Sequence, residues 1–381
     1  MDMKEVQKAV NPVYTTAKGT VMTLAAGGDK DAIALCPYLE LDEMQKGRSK
    51  VPPEIGRVYA VAQEARYNIY NHAALERKEP IIVDLPSGYS PRGFRTADAG
   101  KTYYGLDLPA VIDLMKTAVS KTMTDEQKRF VQYYSVDATN YDSLKKALES
   151  TDGEICIVTE GLMGYLSQPE LVSMCQAIHR LLSEKGGCWI TADAGILEIY
   201  ILTYKILVNE DSNELAAAMK GHASNMADVD FYNNSLFLNG SDGAIAFLNE
   251  QGFSVKKESV SDYIHGLHTV NKDEEKQLSE KYARMEIWTM TVDKGATKSY
   301  EAVSQDTSFE VKSEVKDGIF SVEIRGRVDT ITAPELLKRF QEAGEGIKSI
   351  CVDVSEMSYV SSAGLRVFLT MRKSLANKEC I

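Results

Sequence analysis

Four acidic residues stand at the ends of four successive β-rich runs in the first half of the 381-residue chain. Asp84 follows Ile81 to Val83 and opens VDLPSGYSPRG, Asp107 ends YYGLDL, Asp137 lies in SVDA, and Glu160 closes ICIVTE ahead of GLMGYL. The turn after Asp84 contains Gly88, whose missing side chain lets backbone approach a ligand closely. A carboxylate on the next strand end can accept two hydrogen bonds from the hydroxyls of a ribose. Taken singly, each acid is also what a solvated or helix-capping carboxylate looks like. As a set of four on consecutive strand ends they point to a nucleotide-type ligand. The loop does not read G-x-G-x-x-G, so an ordinary dinucleotide site is not indicated.

Something must hold those acids side by side. Short β-rich runs at Ile81 to Leu85, Tyr103 to Leu108, Val131 to Val136, Ile155 to Thr159 and Cys188 to Ala192 alternate with helical patterns at Ala110 to Ser120, Tyr141 to Glu149 and Pro169 to Ser183. That alternation predicts right-handed βαβ units and a mostly parallel sheet covered on both faces, with ligands at the carboxyl ends of the strands. Helices precede it, chiefly Val58 to Leu75. A helix-rich insertion from Ile196 to Asn239 and a final helix and two strands, through Val292, follow it. The polar stretch 293–307 reads as a linker. Beyond it, 308–381 repeats a smaller β-β-α-β-α pattern. Its parts are Phe309 to Val315, a Lys316-Asp317-Gly318 turn, Ile319 to Arg325, a helix over Ala333 to Ala343, Ser349 to Val354 and a helix from about Ser362.

Bulk properties narrow the function. The net charge of -12 argues against a broad phosphate-binding surface and hence against nucleic acid as a partner. Residues 307–381 carry 11 acidic and 11 basic side chains, so residues 1–306 hold 44 and 32 and the whole of that charge. No stretch reaches 18 uncharged apolar residues, and the polar start MDMKEVQKAV lacks the apolar segment of a secretory signal. No membrane contact and a cytoplasmic location are expected. The six cysteines show no metal-ligand spacing, which suits reduced thiols and no bound metal.

VDLPSGYSPRG, YYGLDLPAVIDLMK, SVDA, EGLMGYL and the late AFLNEQGFSV together resemble the leucine carboxyl methyltransferase-like branch of class I S-adenosylmethionine-dependent O-methyltransferases, over about residues 15 to 292. The resemblance implies a Rossmann-like fold with a seven-stranded, mostly parallel sheet, N-terminal helices and a helical insertion, and S-adenosylmethionine as cofactor. It gives Arg66 to the cofactor carboxylate, Asp84 and Gly88 to the cofactor loop, and Asp107 to the ribose. Asp137 and Ala138 go to the adenine and Glu160 to the methionine end, with Arg92 and 161–166 matched in less defined roles. Pro86 and Ser90 depart from the family, which has glycine and aspartate there; one flexible position and one N–H donor are lost. The reaction implied is displacement of the cofactor methyl by an acceptor oxygen, with no metal. A carboxylate acceptor needs no base, and a hydroxyl does. His265 and His268 in IHGLH are candidates for that base, against the plainer reading of exposed loop histidines; His179 reads as packing or surface. Tyr165 and Tyr200 could line an acceptor pocket, although aromatics at helical spacing are more often core. No catalytic base is assigned, and the acceptor is not legible.

In the second unit, VDVSEMSYVSSAGLRVFL resembles the sulfate transporter and anti-sigma factor antagonist (STAS) domain: a strand ending in an acid, Asp353, then a loop and a Ser-x-Gly-Leu helix start. Ser362 matches the serine phosphorylated by a partner kinase in that family, and Ser361 stands where many members have aspartate. A phosphate there would sit at a helix N-terminus, which favours anions. The alternative is that either serine only caps the helix. The resemblance implies an anti-sigma factor or kinase as partner. The chain stops at Cys380-Ile381, where a fourth strand is expected, leaving an edge for another subunit, such as a homodimer mate, or for the first unit to complete. The expected whole is an O-methyltransferase fused to a regulatory module. The rival reading is a non-catalytic signalling protein whose methyltransferase-like half senses a ligand.

Overall fold

The computed structural model describes residues 13–41, 53–208, 240–292, 309–344 and 346–374. Among the described residues three α-helices come first: α1 (Val13–Ala26), α2 (Lys30–Leu35) and α3 (Pro53–Leu75). A seven-stranded sheet follows, built from β1 (Ile81–Asp84), β2 (Thr102–Asp107), β3 (Val131–Ser135), β4 (Ile155–Thr159), β5 (Gly187–Thr191), β6 (Ser254–Ser259) and β7 (Glu286–Thr291). Between them run α4 (Arg92–Asp98), α5 (Pro109–Thr122), a short α6 (Asp125–Lys128), α7 (Tyr141–Ala147), α8 (Gln168–Lys185), α9 (Ile196–Leu207), α10 (Gly240–Glu250) and α11 (Lys272–Tyr282). Strand order is β3-β2-β1-β4-β5-β7-β6, and β7 runs antiparallel to both of its neighbours. The order reverses between β1 and β4, which opens a crevice at their carboxyl ends.

Period-two alternation along each strand feeds two cores. Ile82, Tyr103, Cys156, Val158, Cys188 and Ile190 face α1, α3 and α5. Ile81, Val83, Tyr104, Ile157 and Trp189 face α7, α8 and α10. Apolar residues thus occupy both faces of every central strand, the pattern of a sheet covered on both sides. The short α6 was not expected from the sequence; its four polar residues hide any period, and Thr124 starts it with a capping box to Gln127.

The smaller unit has its own sheet, order β10-β9-β8, from β8 (Phe309–Lys316), β9 (Ile319–Val328) and β10 (Ser349–Val360), with α12 (Ala333–Glu342) and α13 (Ser362–Ser374) around a separate core that includes Phe320, Leu336, Ile350 and Val367. Here the sequence reading needs correction. Asp353 does not end its strand: β10 runs on to Val360, pairing parallel with a β9 that itself extends to Val328. Two register shifts, after Asp353 and after Met357, let the polar SEMSY stretch stay in the ladder where its lack of alternation suggested a loop. The insertion beyond 208, the linker and the expected strand start at Cys380-Ile381 lie outside the described residues. No described helix is long and apolar enough to cross a membrane.

Candidate functional site

The crevice at the carboxyl ends of β1 and β4 is occupied by a charge cluster. Arg92, the first residue of α4, is 1% exposed and uses its whole guanidinium fork. Nε donates to Asn71 Oδ1 (2.8 Å), Nη1 to Asp84 Oδ1 (2.6 Å) and Nη2 to Glu160 Oε2 (2.5 Å). The second Asp84 oxygen accepts the Tyr103 hydroxyl (2.8 Å), and the second Glu160 oxygen lies 2.8 Å from Arg66 Nε. Two acids therefore face two arginines. Burial would raise the Glu160 carboxyl, but Arg66 and Arg92 outweigh it and hold it below the usual carboxylate range. The Tyr67 and Tyr70 rings of α3 stand 5.7 and 5.9 Å from the Arg92 guanidinium. Gly161 follows Glu160 with φ +70, a conformation that favours glycine, and a Cβ there would stand 2.6 Å from Arg66 Nη2, so a larger residue would displace the guanidinium.

One strand over, Gly88 and Asp107 meet. The Gly88 N–H, on a residue with φ +51, donates to Asp107 Oδ2 (2.7 Å), and the Leu108 N–H donates to Oδ1 (2.6 Å). Burial pushes the Asp107 carboxyl up to about 7, against the pull of those two N–H groups. Each oxygen keeps room for a further donor. The Leu85–Pro86 peptide is cis. Ser90 keeps one acceptor where the family resemblance expects aspartate: its Oγ takes the Arg92 N–H at 3.2 Å. Ser87 Oγ is buried without a hydrogen bond.

Asp137 lies two residues beyond the end of β3. Its Oδ1 accepts both the N–H (2.8 Å) and the hydroxyl (2.7 Å) of Thr139, an Asx turn that leads into α7, and Ala138 between them packs half-buried on the second core. Burial, then the nearby Asp329 of the smaller unit, push the Asp137 carboxyl up to about 6, while Thr139 and Arg327 pull the other way.

Asp84, Arg66, Arg92 and Glu160 thus form one cluster and Gly88 and Asp107 a second, while Asp137 stands apart in the turn after β3. Sequence reasoning missed Asp193. Directly after β5 and 3% exposed, it accepts the N–H groups of Gly161 (2.7 Å), Leu162 (3.0 Å) and Met163 (3.1 Å) and the Tyr70 hydroxyl (2.9 Å), fixing the loop that presents Glu160. A fifth strand-end acid, in ITADAG, was the available signal.

The histidines lie elsewhere. His265 and His268 are exposed, in the loop before α11. His268 Nδ1 sits 2.9 Å from Glu64 Oε1, and the His265 ring stacks on His72 at 3.9 Å. Glu64 precedes Arg66 by two positions, about 200° around α3, so this pair and the arginine cluster occupy opposite sides of one helix. His179 is buried against Phe253. The Tyr200 hydroxyl donates to Gln63 Oε1 (2.7 Å), and Tyr165 closes a short 3-10 turn after Leu162.

Strand order 3-2-1-4-5-7-6 with an antiparallel seventh strand is the Rossmann-like class I methyltransferase fold. Residues 310–380 match the family model of the STAS domain. No curated protein matches the chain. Among solved structures, it is similar to an O-methyltransferase family protein from Burkholderia thailandensis (12% identity, TM-score 0.39, covering 71% of this chain and 74% of that one). A Podospora anserina methyltransferase bound to S-adenosylhomocysteine (SAH) is similar at 14% identity and TM-score 0.33, covering 68% and 88%. The human N-acetylserotonin methyltransferase in complex with S-adenosylmethionine matches at 10% identity and TM-score 0.34, with 64% of this chain spanning 56% of that one. All three TM-scores lie below 0.5, and the class of fold is read from the strand order itself.

Proposed function

We propose that residues 1–292 form an S-adenosylmethionine-dependent O-methyltransferase of the leucine carboxyl methyltransferase-like branch, acting on a carboxylate or hydroxyl of an acceptor, and that residues 308–381 regulate it or bind a partner. One observation carries the reading: Gly88 and Asp107 meet at the end of β2, one strand from the balanced Arg66–Glu160–Arg92–Asp84 cluster, at the crevice where such sheets hold ligands. The residues fit the cofactor. Both Asp107 oxygens keep a free accepting position for ribose hydroxyls, Ser87 Oγ is an unbonded buried hydroxyl in the same loop, and the glycine at 161 leaves Arg66 its close passage. When bound, S-adenosylmethionine supplies an electrophilic methyl group.

The chain's own contribution is positioning. Arg66 would take the cofactor carboxylate and Glu160 its ammonium end, while Arg92 holds Glu160 and Asp84 in place; burial raises the Asp84 carboxyl to about 6 in spite of Arg92. Asp137 and the backbone at Ala138 would take the adenine edge. In the smaller unit, Ser361 caps α13, its Oγ accepting the Gly364 N–H (3.3 Å), and Ser362 is the first helical residue. A phosphate on Ser362 would add about two negative charges at a helix N-terminus and disfavour a docked partner, in keeping with the STAS match.

Isothermal titration of the full chain with S-adenosylmethionine tests the enzyme reading. Saturable binding, abolished in Asp107→Ala, is expected. An absence of heat at millimolar ligand would sink it, and binding that survives Asp107→Ala would contradict the ribose contact. Binding without methyl transfer would favour the ligand sensor instead.

A further inference from the structure

A groove of about 560 Å³ runs between the end of α1 and the start of α3, a size at which small-molecule sites are found. Ala26 and Gly27 line it on one side and Gly56 and Ala60 on the other, with Tyr59 and Arg57 beside them. A Cβ added to Gly56 would meet no atom within 4 Å, so that position looks onto open space. Among the described residues only Nη2 of Arg57 is engaged, donating to both Glu274 oxygens at 2.8 and 2.9 Å, which leaves Nη1 and Nε for a further partner.

The inner end of the groove is marked by Gln63. It follows Tyr59 and Ala60 by one turn on the same side of α3, is 4% exposed, and its Nε2 is buried without a hydrogen-bond partner. A buried amide donor left unpaired is costly, and a ligand oxygen would relieve that cost. Gln63 Oε1 accepts the Tyr200 hydroxyl (2.7 Å), and the Tyr200 ring lies 5.8 Å from that of Tyr59 in the groove wall. One turn further along α3 comes Arg66, with Nε 2.8 Å from Glu160. Ring contact, hydroxyl and amide thus join the groove to the turn that carries Arg66.

We propose that this groove takes the methyl acceptor, and that the acceptor is a planar acid carrying an oxygen at its other end. The proposal rests on the cofactor reading above, in which Arg66 marks the methionine end. Arg57 and Gln63 are six residues apart, about 9 Å along the helix, which sets the length of the molecule. Glycine and alanine on both sides leave a flat, apolar bed, and the Tyr59 ring adds a flat wall. The free edge of Arg57 pairs the carboxylate at the mouth; one guanidinium already serves two carboxylates in this way at Arg92. Gln63 Nε2 donates to the inner oxygen. The Tyr200 oxygen, whose proton goes to Gln63, can accept from that oxygen when it is a hydroxyl.

Isothermal titration of the full chain with 4-hydroxycinnamate, a planar acid with oxygens at both ends, tests the assignment. Wild type is expected to bind saturably below millimolar ligand. Gly56→Leu fills the open space and should weaken binding at least tenfold while the melting midpoint holds or rises, since glycine is a poor helix residue. Gln63→Leu should cost at least threefold. Arg57→Ala should cost as much for the acid and nothing for its methyl ester, a difference that a merely structural role would not produce. No heat with wild type at millimolar ligand, or binding indifferent to Gly56→Leu, overturns the groove. SAH is titrated in parallel: its failure to bind overturns the cofactor reading and the acceptor role with it, whatever the groove binds, so the two failures are told apart.

Discussion

The two charge clusters use the same ingredients to opposite ends. Around Arg92, two acids and two arginines balance, Arg92 is fully bonded, and the elements involved, α3, α4, β1 and β4, belong to one core. Around Arg327 the pairing is looser: Nε lies 3.5 Å from Asp329 Oδ2 without a hydrogen bond, and the guanidinium stacks on the Tyr359 ring at 3.9 Å. Low exposure is common to both. What differs is geometry: Arg92 makes three aligned hydrogen bonds, although Arg66 Nε and Asn71 Nδ2 beside it lack a hydrogen-bond partner as Arg327 Nε does. The first cluster is therefore a platform held by aligned, charge-assisted hydrogen bonds and the second a looser stacked pair.

Arg92→Ala tests the difference most severely. It strands Asp84 and Glu160 without their common partner, and breaking a buried pair in this way typically costs about 3–5 kcal/mol. Urea denaturation should show a loss of that order, whereas a loss under 1 kcal/mol would mean that water serves the acids and the platform is not closed.

A second test is pH. Asp137 has its carboxyl raised to about 6, chiefly by burial, so its proton is held more tightly in the folded protein than in the unfolded chain, where it leaves near 4. The stability contributed by this proton is thus complete below about pH 4 and declines as pH rises through about 6. The groups facing it are Asp329, which opposes ionisation, and Arg327 and Thr139, which favour it. Exchange over 136–143, corrected for intrinsic rate, should accelerate severalfold between pH 5.5 and 7.5, while residues 84–92 keep their protection. Parallel behaviour of the two segments would erase the distinction.

The smallest expected effect is Ser361→Ala. Removing the cap of α13 costs about 1 kcal/mol, read as a lowered melting midpoint of the smaller unit, with the Arg92 platform unaffected.

Much of this was legible before any coordinates. β-Branched and aromatic runs at regular spacing gave the five parallel strands to within a residue or two, and the acids at their ends marked the crevice. Sequence reasoning overlooked Asp193 because its role is to receive three backbone N–H groups from a loop some thirty residues away, which leaves no local pattern. It ended β10 too early because register shifts hide alternation. The pairing of His268 with Glu64 could be suspected from neither residue, since they lie 204 positions apart.

The sequence by itself determined which residues line the carboxyl ends of the strands, because a period of two and a period of 3.6 assign faces without reference to anything distant. It also determined that the acidity belongs to the larger unit. Only the tertiary structure decided who neutralises whom. Arg92 reaches an acid 8 residues back and another 68 residues on, and Arg77 reaches Glu258 181 residues on. Electrostatics acts through space and is set by burial, so a charge's partner and its proton affinity appear only once the cores have closed around it.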